Sequence, residues 1–186
     1  NQTRMKTLGL IAQKGGTGKT TLSIHLAVQA SLTGLRVLLV DLDPQASASA
    51  WWRRRKQPQP ELIQGRGEAL PEILETASER GYELALVDTA PHSSEDARTC
   101  AHLADWVCIP TRPAILDLDA IRPTTDLVLQ AGVPANIVLN GCPPPTAYGE
   151  PHIVAEAREA LGVYRIPVCA AAISQRVAFS PALIDG

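Results

Sequence analysis

The segment that most restricts this chain is Lys14-Gly15-Gly16-Thr17-Gly18-Lys19-Thr20-Thr21, which follows a short apolar run and opens a stretch of helical periodicity. Glycines at such a junction let successive backbone N–H groups curl around an anion, and the helix N-terminus adds a favourable dipole. The loop therefore reads as a phosphate cradle made of Gly15, Gly16, Thr17, Gly18, Lys19, Thr20 and Thr21. Lys19 is expected to reach the β- and γ-phosphates of a nucleotide, and the Thr20 hydroxyl to ligate Mg²⁺. The ordinary pattern G-x-x-x-x-G-K-[ST] wants glycine at position 13, and Gln13 stands there instead. Lys14 is an extra, because a second lysine has no role in the ordinary cradle.

Around this loop, short β-branched runs alternate with helix-period stretches from one end of the chain to the other. That is the pattern of an α/β protein, a doubly wound, mostly parallel sheet with helices on both faces. The expected strands are Thr7 to Ala12, Arg36 to Asp41, Leu84 to Asp88, Trp106 to Pro110, Ile137 to Asn140 and Arg165 to Cys169. Several are nearly continuous in Val, Leu and Ile, as strands buried on both faces should be. Ile24, Ala27, Val28 and Leu32 mark one amphipathic helix, and Leu70, Ile73, Leu74 and Ala77 another. Gly34 and Gly81 follow them where a left-handed cap is wanted. Ile153, Val154, Ala157 and Leu161 mark a third, ended by Gly162, and a helix near Asp117 to Ala131 must kink or restart at Pro123. The proline runs at Gln57 to Pro60 and Pro143 to Pro145 read as loops, so residues 1–186 are expected to form a single domain.

Seven aromatic residues among 186 leave the core to Ala, Val, Ile and Leu. No apolar stretch approaches the roughly 18 residues that span a bilayer, and Asn1 to Met5 lacks a signal-peptide pattern, so a cytoplasmic protein is expected. A net charge of −2 excludes a globally basic nucleic-acid binder and leaves any such contact to a local patch. Cys100, Cys108, Cys142 and Cys169 have no C-x-x-C spacing, which argues for buried thiols over a disulfide framework or zinc. His25, His92, His102 and His152 show no ligand spacing either.

Three carboxylates belong with the loop on physical grounds. Asp88 closes a buried strand, where a carboxylate beside a phosphate loop can hold Mg²⁺ through water. Asp41 closes another strand, and Asp43, before Pro44, is disfavoured in a helix and so lies in a loop facing the same place.

Lys14 to Thr20 resembles the deviant Walker A motif of the ParA/MinD ATPases, whose additional lysine crosses a dimer interface to the partner's ATP. Val40-Asp41-Leu42-Asp43-Pro44-Gln45 resembles that family's first switch, and Leu86-Val87-Asp88-Thr89-Ala90-Pro91 its Walker B strand and second switch. Ser174-Gln175-Arg176-Val177 and Ala182 to Gly186 resemble its late segment, with Pro181 where many relatives carry glutamate. The resemblance, nearest to small ParF-type partition proteins, implies a low-turnover ATPase using ATP and Mg²⁺. Lys14, Lys19 and Asp43 would be catalytic, with Asp43 positioning the attacking water; Thr20, Asp41 and Asp88 would serve the metal. It further implies that Asn140 contacts adenine, that Pro110 to Pro113 form a wall or interface with Pro113 among the nucleotide-binding residues, and that Arg176 binds DNA without sequence preference.

The function implied is a ParA-type ATPase that dimerises on ATP, binds nonspecific DNA at the nucleoid, and positions plasmid, chromosome or protein-cluster cargo. A ParB-like or other stimulating adaptor would reset it. The Asp-Pro-Gln switch disfavours the membrane-bound MinD branch, and nothing before Met5 supplies a helix-turn-helix domain. Relatives continue beyond Ile184-Asp185-Gly186, so the C-terminal helix is expected to be missing. The alternative is a metabolic ligase of the dethiobiotin-synthetase or cobyrinate-amidase type, which would not need Lys14. Arg53-Arg54-Arg55-Lys56 after Trp51-Trp52 is a positive cluster downstream of the first switch, suited to phosphate or partner contacts.

Overall fold

The computed structural model describes residues 4–176 and Leu183. Seven strands form its sheet: β1 (Lys6–Leu10), β2 (Val37–Asp41), β3 (Glu61–Gln64), β4 (Leu84–Asp88), β5 (Trp106–Thr111), β6 (Ala135–Cys142) and β7 (Ile173–Ser174). Their order is β3-β2-β4-β1-β5-β6-β7, and each neighbouring pair is parallel. Between them run α1 (Lys19–Leu32), α2 (Ser47–Trp52), α3 (Leu70–Glu79), α4 (Ser94–Leu103), α5 (Ile115–Ala120), α6 (Arg122–Ala131) and α7 (His152–Leu161). The order reverses at β1, which lies between β4 and β5. A doubly wound sheet opens a crevice at the carboxyl ends of its strands at such a reversal.

Alternation along the central strands explains why helices cover both faces. In β2, Leu38 and Val40 join a core with Leu70 and Leu74 of α3, Ala97 of α4, Val128 of α6 and Leu161 of α7. Val37 and Leu39 face the other way and pack with Ile24 and Ala27 of α1 and Ala48 and Trp51 of α2. Each such Leu or Ile taken fully from water stabilises the fold by roughly 1.5–3 kcal/mol.

The expected breaks fall where backbone chemistry puts them. Gly34 and Gly81 take positive φ of 92° and 77° after α1 and α3. Pro123 has no N–H to donate, and it sits in the first turn of α6, directly after α5 ends. Asn140 does not close its strand, however; β6 continues through Gly141 to Cys142.

Three elements lay outside the sequence reading, and one expected strand is displaced. α2 has six residues and β3 four, too short for a periodic signal. α4 did carry a signal: Ser93 caps it by accepting a hydrogen bond from the Asp96 N–H, with Ala97, Cys100 and Ala101 on its buried side. Arg165 to Cys169 is not a strand. Arg165 takes a left-handed φ of 57°, and only Val168 bridges to Ile137. The Arg158 guanidinium draws off the carbonyls of Cys169 and Ala170 at 2.6 and 2.7 Å, so pairing along β6 resumes only at Ile173. Leu32 and Ile153, expected on buried stripes, are exposed.

Cys100, Cys108 and Cys142 are buried free thiols, whereas Cys169 is half-exposed. Burial pushes Cys100 and Cys108 up to about 12. The thiolate is the reactive form, so its population at those two sites is negligible at pH 8. Mild alkylation of the native protein at pH 8, read by peptide mass spectrometry, should mark Cys169 and spare Cys100 and Cys108 until denaturant is added.

Candidate nucleotide site

The loop between β1 and α1 occupies the crevice at the strand-order reversal. Gly16 and Gly18 take positive φ of 76° and 83°, which a side chain would resist. Gly18 carries a second constraint: a Cβ there would lie 2.1 Å from the Asn140 Nδ2. Gln13, at the position where the ordinary pattern has glycine, fastens the loop entrance. Its backbone N–H donates to the Thr124 hydroxyl at 3.2 Å and its side-chain amide to the Ser94 hydroxyl at 3.3 Å.

A cleft of about 190 Å³ is lined by Lys14 to Thr21, Asp43 and Pro91. The fold thus brings the glycine loop, both lysines and Asp43 to one place. Lys19 is 6% exposed, and its ammonium lies 3.4 Å from Asp88 Oδ1, a carboxylate with no exposure. The same ammonium donates to the Thr89 carbonyl, while the Thr89 hydroxyl donates to the Leu10 carbonyl at 2.8 Å. The first turn of α1 is thereby fastened to the ends of β4 and β1.

Asp41 and Asp88 are paired in register at the ends of β2 and β4, and both are fully buried. Burial pushes the Asp88 carboxyl above its usual range, and Asp41 pushes the same way, while Lys19 and Thr20 pull it back. Asp41 spends its oxygens on Asp43 and Ser49. Oδ2 accepts from the Ser49 N–H at 3.0 Å and the Ser49 hydroxyl at 2.7 Å, and Oδ1 accepts from the Asp43 N–H at 3.1 Å. Asp43 in turn accepts from the Gln45 N–H at 2.9 Å, the local turn expected of an aspartate before proline.

Two polar atoms here are buried without a hydrogen-bond partner, Asp88 Oδ2 and Thr17 Oγ1. Unmet acceptors of this kind cost free energy unless a ligand meets them. An oxygen donor set of Asp88 with Thr20 beside it suits a hard divalent cation and its waters, so the residues present fit Mg²⁺.

The remaining expected residues are placed as follows. Asn140 donates from Nδ2 to the Thr17 carbonyl at 2.8 Å, so its amide braces the loop from behind. Pro113 is buried just ahead of α5, outside the lining of the cleft. Arg176 is exposed two residues past β7, and Val177, Pro181, Ala182 and Ile184 to Gly186 lie outside the described residues. Lys14 meets a residue that sequence reasoning had not linked to it, since its ammonium lies 2.6 Å from Asp117 Oδ1 on α5. Thr89, His92 and Thr124 were also missed. The His92 N–H donates to the Gln13 carbonyl at 3.1 Å, across elements that share no sequence pattern.

The comparisons with known proteins agree with this geometry. The model of the CobQ/CobB/MinD/ParA nucleotide binding domain matches residues 8–182. This chain belongs to that family. It is 36% identical over 186 residues to the maintenance of carboxysome distribution protein A of Gloeobacter kilaueensis, with 97% of this chain and 82% of that protein covered. It is 29% identical over 147 residues to the chromosome-partitioning ATPase Soj of Thermus thermophilus, covering 63% of this chain and 59% of that one. Among solved structures, apo McdA from Cyanothece superposes with a TM-score of 0.78 at 16% identity, covering 96% of this chain and 89% of its own. The pNOB8 ParA bound to nonspecific DNA superposes at 0.65 and 17% identity, covering 86% and 74%. At those identities the likeness to the solved structures is one of fold.

The packing at Gly18 gives a direct test. Gly18→Ala places a methyl against Asn140 at an unfavourable φ, and such overpacking costs about 1–3 kcal/mol. Calorimetry should find a lower melting temperature for this variant. Isothermal titration should find nucleotide affinity reduced at least tenfold.

Proposed function

We propose that this chain is a ParA-type ATPase whose ATP-bound form pairs with a second copy, holds DNA without sequence preference and positions a cargo. An adaptor of the ParB kind resets it by stimulating hydrolysis. The observation that carries this reading is Lys14 in the cleft. It is a second cation on the phosphate loop, 40% exposed, beside a cradle that already has its own lysine. The relationship to partition and distribution proteins over 97% of the chain supports the same reading.

Phosphoryl transfer to water needs positioning and charge stabilisation more than covalent chemistry. The glycine loop and Lys19 bind the phosphates of ATP, and Asp43 orients the attacking water. Asp41 keeps Asp43 in place through the hydrogen bond to its N–H. Thr20, and Asp88 through water, would hold Mg²⁺, which would supply neutralising positive charge at the phosphates. Lys14 completes the partner's site. To do so it leaves Asp117, whose carboxylate is 12% exposed, and the greater negative charge of a triphosphate offsets that loss. A site completed only in the dimer keeps basal turnover low.

Asn140 and Pro113 belong to the base side of the site, with Asn140 bracing Thr17 as well. Arg176, exposed past β7, is one of the DNA contacts. Among the described residues no helix is long and apolar enough to cross a membrane. The reading places the ATP-bound protein in the cytoplasm on the nucleoid.

The deciding experiment is a DNA-binding titration with ADP, ATP and a slowly hydrolysed analogue across a salt series. Retention only in the triphosphate states is expected, weakening steeply with salt. DNA indifference in all three, with ADP released only when a small carboxylate is supplied, would point to a ligase instead. For the residues, sedimentation with ATP should find a dimer in the parent protein and a monomer for Lys14→Ala. Asp43→Ala should dimerise and retain ATP while hydrolysis falls at least a hundredfold.

A further inference from the structure

The charge of this molecule is unevenly distributed along its sequence. Nine of the 17 Lys and Arg lie in the first 60 residues, but only two of the 19 Asp and Glu, namely Asp41 and Asp43. Both of those belong to the nucleotide cleft. α1 and α2 pack against each other on one face of the sheet, and neither contains a carboxylate. The segment Pro44 to Pro60, which includes α2 and the loop after it, contains none either. In a molecule of net charge −2, the segment from Pro44 to Pro60 is therefore locally positive.

The basic cluster at the end of α2 divides by role. Arg55 turns inward: its Nε and Nη2 donate to the Gln59 carbonyl at 2.9 and 2.8 Å, and its guanidinium lies 5.3 Å from the centre of the Trp51 ring. Trp52 donates from Nε1 to the Pro60 carbonyl at 3.0 Å. These bonds hold the loop from 53 to 60 in one shape. Arg53, Arg54 and Lys56 point outward and are exposed, and among the described residues none of the three has a carboxylate within 4.0 Å. Arg54 donates to the Leu183 carbonyl at 3.0 Å, a neutral acceptor.

We infer that Arg53, Arg54 and Lys56, at the end of α2 in a segment without carboxylates, form a surface that binds the phosphate backbone of duplex DNA. The inference rests on the DNA-binding reading above and supplies a surface for it apart from Arg176. Exposed arginines on a braced loop suit phosphate oxygens, which accept their forked N–H donors. Both tryptophans are committed to the protein, Trp51 in the core and Trp52 through its indole N–H, so no aromatic platform is offered to unstacked bases. This favours a double-stranded backbone over a single strand.

The same short helix connects this surface to the nucleotide cleft. Ser49, in the middle of α2, is held by both its N–H and its hydroxyl to Asp41, and Asp41 also holds Asp43. The Arg53 N–H closes back on the Ser49 carbonyl at 3.1 Å. A rearrangement of the first switch therefore moves the helix that presents the three cations, and Ser49 is a positioning residue for them.

The test compares parent protein with the triple variant Arg53→Ala, Arg54→Ala, Lys56→Ala, using anisotropy of a labelled random-sequence duplex at several salt concentrations. The protein is loaded with ADP or with a slowly hydrolysed ATP analogue. The variant should keep its melting temperature and nucleotide affinity. Its DNA affinity in the triphosphate state should fall on the order of ten- to a hundredfold, with the slope of log affinity against log salt shallower by about 2–3, as expected for three lost phosphate contacts. Replacing Arg53 and Arg54 by lysine should retain most of the binding. Ser49→Ala should leave the salt slope alone and reduce the ratio of affinities between the two nucleotide states severalfold. Parent binding with an unaffected triple variant would overturn this surface and leave the DNA-binding reading standing. Parent protein that ignores duplex DNA in both nucleotide states would overturn both, as would binding to phosphatidylglycerol vesicles in place of DNA. An unchanged affinity ratio in Ser49→Ala would overturn the coupling.

Discussion

The buried contact between Lys19 and Asp88 holds the functional end of this molecule together. An ammonium and a carboxylate removed from water each carry a desolvation penalty of several kcal/mol, and only mutual pairing with further hydrogen bonds offsets it. Here the offset comes from Asp88 Oδ1 and the Thr89 carbonyl, both at the end of β4. Two consecutive elements are tied to a third far along the sequence: the N-terminus of α1 and, through the Thr89 hydroxyl, the end of β1 are fastened to the end of β4. The phosphate loop is the segment between the tied ends, which is why its glycines can hold a shape that the chain would not keep unaided.

That arrangement leaves polar capacity unused beside the glycine loop. Asp88 Oδ2 and Thr17 Oγ1 remain buried and unmatched while almost everything around them is satisfied. Asp41, equally buried, is fully engaged with Asp43 and Ser49. Two neighbouring carboxylates at the same level of adjacent strands thus differ: Asp88 keeps an unmatched oxygen and Asp41 holds Asp43 and Ser49. The division follows from which strand leads into α2.

Much of this was legible from residue order. Continuous Val, Leu and Ile runs identified the central strands β2 and β4 because both of their faces are covered. Pro123 and the glycines at 34 and 81 marked breaks because their backbone chemistry acts locally. Reading failed where the determinants were remote. The edge strand expected at Arg165 to Cys169 is displaced because Arg158, on α7, takes the carbonyls of Cys169 and of Ala170 beyond it. β3 and α2 carry too few residues for a period to show. α4 was missed although Ser93 and Asp96 formed a readable cap.

By itself the sequence determined a phosphate loop with two lysines, the strand-end carboxylates at 41 and 88 and the alternating plan of strand and helix, since each depends on residue type at fixed short spacing. Only the tertiary structure decided that Lys14 pairs with Asp117, that Asn140 braces Thr17, and that one arginine of the basic cluster turns inward while its neighbours face solvent. Those outcomes depend on which distant atoms compete for the same donor, and the competition exists only once the sheet has brought them within hydrogen-bonding reach.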